Sequence, residues 1–356
     1  MILKDQLQRW AIGRFLIEIQ DSDEVHIQDR RMADQRLDLL HRLSVFRAGL
    51  FGLISGMFVV AIALWLHEWE GSDGWNSFTF FGAVAFAGFL STSLELVFIY
   101  GDSLKTAARM AKVLGIPEDE LQKFDLEESI PHWLIHAALG APGFQGAMFG
   151  IDPLARIGKL GMLIRKILKK FRIAASDTLF KSIVRRMWVQ LIGRTALRAF
   201  VELVSLPFFV LINAVGMNSM MRDMRSRLVG HELTPSLIEH TFPEGVEHLT
   251  PALHRAIHDG IQEQITSARF IHPNQIRILN LIGDPPSHAQ PTNFDEQRRA
   301  SRFLLAMFAL SGRLSYRCRR IMRRLESNLG EEEVSLVESE IEAAIYDLEP
   351  FTRPWI

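Results

Sequence analysis

Two long stretches without a charged residue most constrain how this chain folds. The first covers residues 48–66 and the second residues 76–94, and apolar residues continue beyond Glu95 as far as Gly101. An α-helix needs about 20 apolar residues to cross roughly 30 Å of hydrocarbon, and each stretch approaches that length. The spacing predicts a transmembrane helical hairpin within residues 44–101. The alternative is a helical hairpin buried in a large soluble core.

Charge around the two stretches is distributed asymmetrically. Residues 67–75 contain acids and no Lys or Arg, whereas basic residues flank the outer ends at Arg30, Arg31, Arg36, Arg42, Arg47, Lys105, Arg109 and Lys112. The positive-inside rule therefore predicts that both termini are cytoplasmic. The first 25 residues lack the apolar core of a signal peptide, and the single cysteine, Cys318, suits a reducing compartment. The predicted location is the inner (cytoplasmic) membrane.

Small residues follow one face of the first stretch at Gly49, Gly52 and Gly56. A face of this kind lets another helix approach closely, and Gly52 and Gly56 have the GxxxG spacing. The predicted neighbour is the second stretch, which carries its own small residues at Gly82, Ala85 and Gly88. The competing interpretation is a seam between two copies of the chain.

Glu95 is the only ionisable residue between residues 76 and 101. Ionisable residues inside a span are functional candidates by default, which favours an ion or proton pathway. Glu95, however, lies near the cytoplasmic end of its stretch, where Arg47 on the first helix is expected at the same depth. The favoured prediction is therefore a pair between Glu95 and Arg47.

Basic residues dominate the segment from Pro153 to Val201, in which Asp177 is the only acid. Apolar residues recur there at helical spacing, which predicts an amphipathic helix lying on anionic lipid. The predicted lipid-facing basic residues are Arg156, Lys159, Arg165, Lys166, Lys169, Lys170 and Arg172. A solvated or partner-binding face is the alternative, and no nucleic-acid motif accompanies the segment.

Residues 199–217 are nearly long enough to span a membrane, but they contain Glu202, Pro207 and Asn213, and arginines flank both ends. The pattern favours a kinked helix that is buried in protein or re-entrant, with a third span as the alternative.

The remaining chain is predicted to be helical and cytoplasmic, so the fold class is an all-α integral membrane protein with a helical body. The predicted segments are 1–43 (N-terminal helices), 44–101 (hairpin), 102–140 (helices), 141–230 (basic and apolar membrane-associated helices), 231–290 (connector and Pro-rich linker) and 291–356 (C-terminal module). Helices are expected at about 294–310, 315–327 and 331–348. The second of these is basic and the third acidic, so the two either pair in charge or present solvated faces.

The sequence predicts no catalytic site. His132 and His136, and likewise His254 and His258, have the i, i+4 spacing of metal ligands, but neither pair belongs to an HExxH motif. The chain has no GxSxG nucleophile elbow, and no cysteine-enzyme pattern surrounds Cys318. We therefore predict a non-enzymatic protein without a cofactor or metal.

Several short motifs carry a resemblance to known proteins. Gly150-Ile151-Asp152-Pro153, the pairs Arg185-Arg186 and Gly193-Arg194, and the series Pro207, Asn213, Arg222, Arg225, Arg227 and Gly230 resemble an uncharacterised family of bacterial integral membrane proteins. The chain has Ile212 where such proteins tend to have Trp. The family has no assigned activity, so the resemblance implies a membrane protein and no mechanism.

A fainter resemblance covers residues 303–330, which look like a tellurite-resistance TerB-type helical module. That module commonly has Asp-Gly at its helix-turn-helix step, whereas this chain has Ser311-Gly312 followed by a basic helix. The difference implies that any metal site of the module is missing.

Together these patterns predict a membrane-anchored scaffold or regulatory protein of unknown process. Its expected partners are anionic lipids, a further copy of the chain and an unidentified protein, without nucleic acid. The alternatives are an oligomeric channel or transporter component with Glu95 in the path, and a lipid-handling enzyme, for which the sequence offers no catalytic constellation.

Overall fold

The computed structural model describes residues 2–22, 24, 26–66, 74–121, 129–139, 146–153, 195–286, 292–311 and 318–351. These residues form helices and no strand, which confirms the predicted all-α class for the described part of the chain. The helices are α1 (Ile2–Asp21), α2 (Arg30–Trp65), α3 (Gly74–Val113), α4 (Glu118–Leu121), α5 (Ile130–Ala138), α6 (Thr195–Thr241), α7 (Pro251–Ala268), α8 (Pro273–Ile282), α9 (Phe294–Leu310), α10 (Arg319–Leu329) and α11 (Glu331–Tyr346).

The chain divides into two compact units. One, the helical body, comprises residues 1–42, 103–156 and 219–356; the other, the apolar unit, comprises residues 43–102 and 157–218. Helices α2, α3 and α6 each contribute residues to both units.

Helix starts in the helical body coincide with capping residues in the sequence. Thr250 accepts a hydrogen bond from the backbone N–H of Leu253 at 3.2 Å, and a proline occupies the first position of α7. Asn293 and Glu296 satisfy each other's backbone N–H groups in a capping box at the start of α9. These caps satisfy N–H groups that the first turn of a helix leaves without a partner.

The core of the helical body forms where α9 packs against α7, α10 and α11. Along α7, buried apolar side chains recur every fourth residue at Leu253, Ile257, Ile261 and Ile265. Gly260 on the same helix faces Leu304 of α9, and a Cβ atom at residue 260 would lie 2.2 Å from Leu304 Cδ1. The apolar stripe and the close approach at Gly260 together fix α9 against α7.

The acidic helix α11 finds its basic partners on α9. Glu333 forms ion pairs with Arg298, at 2.7 Å, and with Arg302. On α10, Arg324 pairs instead with Glu263 of α7. Helices α10 and α11 do pack together, but the ion pairs found among the described residues join them to other helices rather than to each other. A count of opposite charges cannot reveal which helix supplies the nearest arginine.

Arg225 of α6 is the largest fully buried side chain among the described residues, with 1 % of its surface exposed. It pairs with Asp34 and Asp38 at the start of α2, and the guanidinium to Asp38 distance is 2.8 Å. It also donates hydrogen bonds to the carbonyl oxygens of Ile345 (2.9 Å) and Tyr346, where α11 ends. A cation is favourable at a helix C-terminus, which adds to these hydrogen bonds. The side chain of Arg225 thus joins α6 to α2 and α11.

The apolar unit contains two helical stretches that are long and apolar enough to span a membrane. They belong to α2, with a mean hydropathy of 2.2 in its most apolar window, and to residues 82–113 of α3, with 1.8. Only 28 % and 18 % of those windows are buried inside the protein. Large apolar side chains are correspondingly exposed on both helices, including Phe46, Ile54, Phe58, Phe86, Phe89 and Phe98.

Residues 199–217, predicted as a kinked helix, belong to α6, which is a single helix of 47 residues that continues through Pro207.

Candidate functional site

The glycine face of α2 is covered by α6. A Cβ atom added at Gly52 would lie 2.5 Å from Asn213 Nδ2 and 3.0 Å from the backbone oxygen of Phe209, and one added at Gly56 would lie 2.5 Å from Leu206 Cδ2. At Gly49 the nearest atom is Val210 Cγ1, at 3.3 Å. Only glycine permits this approach at Gly52, because part of the obstacle is backbone.

The predicted neighbour of that face was therefore wrong. Added Cβ atoms at Gly82 and Gly88 of α3 would meet nothing within 4 Å, so these glycines do not pack against Gly49, Gly52 or Gly56. The alternative prediction, that this face contacts a second copy of the chain, is also wrong, because the face already contacts α6 of the same chain. A stripe of small residues admits any helix that fits, so its spacing does not identify the partner.

Glu95 is half-buried and accepts a hydrogen bond from the side-chain amide of Asn213. Asn213 in turn occupies the space that the missing side chain of Gly52 leaves open. One residue from each of α2, α3 and α6 thus meets at this level of the apolar unit. We call Gly52, Glu95 and Asn213 the polar junction.

Arg47 pairs with Asp102 rather than with Glu95. The Arg47 Nε to Asp102 Oδ1 distance is 2.7 Å, and the hydroxyl of Ser44 donates to the same carboxylate at 2.7 Å. The predicted pair between Arg47 and Glu95 is therefore wrong. Arg47 pairs with Asp102, and Glu95 accepts a hydrogen bond from Asn213.

The antiparallel register of α2 and α3 explains this correction. Ser44 lies opposite Asp102, and Ser55 lies opposite Ser91 with their hydroxyl oxygens 2.8 Å apart. This register sets Glu95 opposite residue 51, about one helical turn from Arg47. An arginine that extends away from Glu95 reaches Asp102 more directly.

The seven basic residues predicted to face lipid, Arg156, Lys159, Arg165, Lys166, Lys169, Lys170 and Arg172, lie outside the described residues.

The histidine pairs do not assemble a metal site within the described ranges. The rings of His132 and His136 are 4.5 Å apart between centroids, and His254 Nε2 lies 3.3 Å from the carbonyl oxygen of Gly283. In the described part of the chain no group of three or more His, Cys, Asp or Glu side chains could hold a metal ion. At the C-terminal module, Cys318 is buried, and residues 312–317 of the TerB-like step fall among those that the structure does not describe.

One buried and one half-buried histidine of the helical body, His272 and His231, have lowered pKa values. Burial lowers the pKa of His272 well below its usual 6.5, with a further contribution from the positive charge of Arg227. Burial, followed by the charge of Arg277, lowers the pKa of His231 to about 4. Arg277 Nη1 lies 2.8 Å from His231 Nε2, so a neutral ring that accepts this hydrogen bond is the stable form.

A cleft in the helical body went unnoticed in the sequence. It has a volume of about 300 Å³, and its polar lining residues are His26, Gln28, Arg30, Glu232 and Ser236. These residues come from distant parts of the chain and match no local motif, so their proximity becomes visible only in the folded body.

Comparisons of this chain with protein-family models, with curated proteins and with solved structures found no match.

Proposed function

We propose that this chain is a membrane-anchored, non-enzymatic scaffold or regulatory protein, with α2 and α3 as a transmembrane hairpin in the bacterial inner membrane. One observation carries the proposal: the most apolar windows of both helices leave most of their surface uncovered by protein. A soluble core hairpin would bury that surface, because exposed apolar area is costly in water. Lipid supplies the missing contact.

The orientation follows from charge. Residues 67–75 carry no Lys or Arg, whereas five arginines lie between residues 30 and 47, before the first apolar stretch, and Lys105, Arg109 and Lys112 follow the second. With the positive residues retained in the cytoplasm, both termini and the helical body are cytoplasmic.

Helix α6 supports membrane residence of the whole apolar unit. Its inner side packs on the glycine face of α2, while Leu211, Ile212 and Val215 are exposed. An apolar outer face on a third helix suits lipid better than water. Adjacent to it in sequence, the basic residues from Arg156 to Arg172 are proposed to contact anionic headgroups, where each surface charge contributes about 1 kcal/mol.

A channel or transporter component is the second candidate, and the polar junction is the observation that favours it. A carboxylate within an apolar span is a usual element of ion pathways. The hydrogen bond between Glu95 and Asn213 nevertheless gives Glu95 a packing role that needs no transported ion. We therefore rank the scaffold or regulatory role first.

Reconstitution separates the two candidates. The full chain is incorporated into planar bilayers, and currents are compared for wild type, Glu95→Gln and the control Glu332→Gln on the exposed face of α11. A scaffold gives no selective current in any of the three. A selective current that Glu95→Gln alters and Glu332→Gln leaves unchanged would overturn the scaffold proposal.

The scaffold role also has a positive test in cells. A photo-crosslinking amino acid at Ser236, an exposed residue of α6 in the helical body, is expected to give one discrete adduct with a second protein, and the same group at the exposed Ser339 of α11 is the control. Equal, diffuse adducts at both positions would count against a specific partner on this side of α6.

A further inference from the structure

Four distant segments of chain meet around the cleft in the helical body. Its walls come from residues 26–33, from Val113 and Leu114 at the end of α3, from residues 229–236 of α6, and from residues 344–348 at the end of α11. Small-molecule sites in proteins have volumes of roughly 300–1,000 Å³, so a cleft of about 300 Å³ suits a ligand of the smallest class.

The floor of the cleft is apolar. Ala33, Val113, Val229 and Ala344 are buried there, and Leu233 and Leu348 add half-buried side chains. Leu348 has a φ angle of 51°, which bulky residues rarely adopt and which a protein maintains only where its surroundings hold the residue. The side chains of this floor offer a place for an aliphatic group.

The rim of the cleft carries charges of both signs. Arg30 begins α2, directly after Asp29, whose carboxylate caps the helix by accepting from the N–H of Met32 at 2.9 Å. Glu232 of α6 lies within electrostatic reach of Arg30. Glu232 is exposed at the rim; partial desolvation of its carboxyl group raises its pKa, and the positive charges of His26, Arg30 and Arg277 act in the opposite direction.

His26 is held in place on one side of this rim by a glycine. The backbone N–H of Ile27 donates to the carbonyl oxygen of Val113 at 3.2 Å, which fixes the segment against the end of α3. A Cβ atom at Gly115, whose φ is 77°, would lie 2.2 Å from His26 Nδ1. The close approach and the positive φ both require glycine at this position.

We propose that this cleft binds a small zwitterion with an apolar side chain, which is the chemistry of a free aliphatic amino acid. The guanidinium of Arg30 receives the ligand's carboxylate, the carboxylate of Glu232 receives its ammonium group, and the floor covers its side chain. A simple anion would leave the charge of Glu232 unmatched and a simple cation that of Arg30, whereas a zwitterion matches both. The inference goes beyond the proposed membrane role and does not depend on it.

Calorimetry on the full chain in detergent tests the proposal, with leucine, valine, methionine and phenylalanine as probes. We expect at least one of them to bind with a Kd below about 1 mM. Two analogues of leucine serve as controls: 3-methylbutylamine lacks the carboxylate, and 4-methylpentanoate lacks the ammonium group. Each is expected to bind at least about ten-fold more weakly than leucine, because it leaves one charged partner unmatched.

Variants assign the binding to this cleft. Arg30→Gln and Glu232→Gln are each expected to weaken binding about ten-fold or more. The matched control is Arg31→Gln, which removes the same charge from the exposed neighbouring residue outside the cleft and leaves the affinity unchanged. Leu233→Trp, which fills the floor, abolishes binding, and circular dichroism verifies that each variant is folded.

Two results would overturn the proposal. One is the absence of binding by all four amino acids, which means that Arg30 and Glu232 serve only to neutralise each other. The other is binding that Arg30→Gln and Glu232→Gln leave at the wild-type affinity. Neither result bears on membrane insertion, so failure here is distinguishable from failure of the proposed function.

Discussion

Replacing Arg225 by Met should destabilise the helical body more than any other single loss of charge among the described residues. The guanidinium is 1 % exposed and has two acidic partners and two carbonyl partners. Removing one member of a buried ion pair costs roughly 3–5 kcal/mol, and each carbonyl left without a donor costs about 1–3 kcal/mol. Asp34 and Asp38 are 20 % and 43 % exposed and regain water when the guanidinium is removed, so the ion-pair cost falls well below its buried limit. With the two carbonyls included, we expect a total loss of about 3–5 kcal/mol.

Thermal unfolding of the purified protein, followed by circular dichroism, measures this loss. For a unit of this size each kcal/mol lowers Tm by about 2–4 °C, so Arg225→Met should lower it by roughly 6–20 °C. The control is Arg222→Met, which makes the same change of charge at an exposed residue three positions earlier and should cost less than about 0.5 kcal/mol. Equal shifts for both variants, or an unchanged Tm for Arg225→Met, would refute the assignment of Arg225 as the residue that joins α2, α6 and α11.

Three further predictions concern other contacts. Cysteines introduced at residues 56 and 206 should crosslink α2 to α6. Adding Gly52→Val should reduce that crosslink several-fold whereas Gly82→Val should not, because Gly52 faces α6 and Gly82 does not. Glu333→Gln should destabilise the protein by about 1–3 kcal/mol through its arginine partners, and Glu332→Gln by less than about 0.5 kcal/mol. The low pKa of His231 means that between pH 6.5 and about 4 the unfolded chain binds a proton that the folded chain excludes, so stability falls as the pH falls through this window, by roughly 3 kcal/mol at most. His231→Gln should remove that part of the pH dependence in unfolding measurements.

Each of these predictions has a contradicting result. A crosslink that Gly82→Val reduces as much as Gly52→Val would mean that α3, not α6, covers the glycine face. Equal unfolding free energies for the Glu333 and Glu332 variants would show that the ion pairs between α9 and α11 do not stabilise the protein. An unchanged slope of stability against pH in His231→Gln would assign the acid sensitivity to other groups, among them the buried His272.

Helix positions could be read from the sequence where local chemistry specifies them. The predicted helix at 294–310 is α9, and the structure shows that it begins at a capping box formed by Asn293 and Glu296. The predicted helix at 331–348 ends slightly early, at Tyr346, and the following Leu348 adopts a positive φ that no pattern of apolar residues encodes. Local rules describe where a helix begins better than where it stops.

Tertiary partners could not be read in the same way. The glycine face of α2 was identified correctly as a feature, but its neighbour, α6, lies more than a hundred residues further along the chain. Arg47 reaches Asp102 because of a helix register that only Ser44, Ser55 and Ser91 reveal once the helices are paired. The cleft assembles four segments whose residues are ordinary in isolation. Which residues contact each other across helices depends on packing between elements, and the periodicity of a single sequence does not report that packing.

The most direct test of the central claim is the sidedness of single cysteines in intact cells. A membrane-impermeant maleimide is applied to spheroplasts that contain wild type, Ser72→Cys, Arg31→Cys or Ser339→Cys; the native Cys318 is buried, so wild type gives the background. A hairpin with both termini in the cytoplasm predicts labelling at residue 72 before lysis and at residues 31 and 339 only after lysis. Labelling at residue 31 or 339 in intact spheroplasts, or release of the protein from membranes by alkaline carbonate, would contradict it.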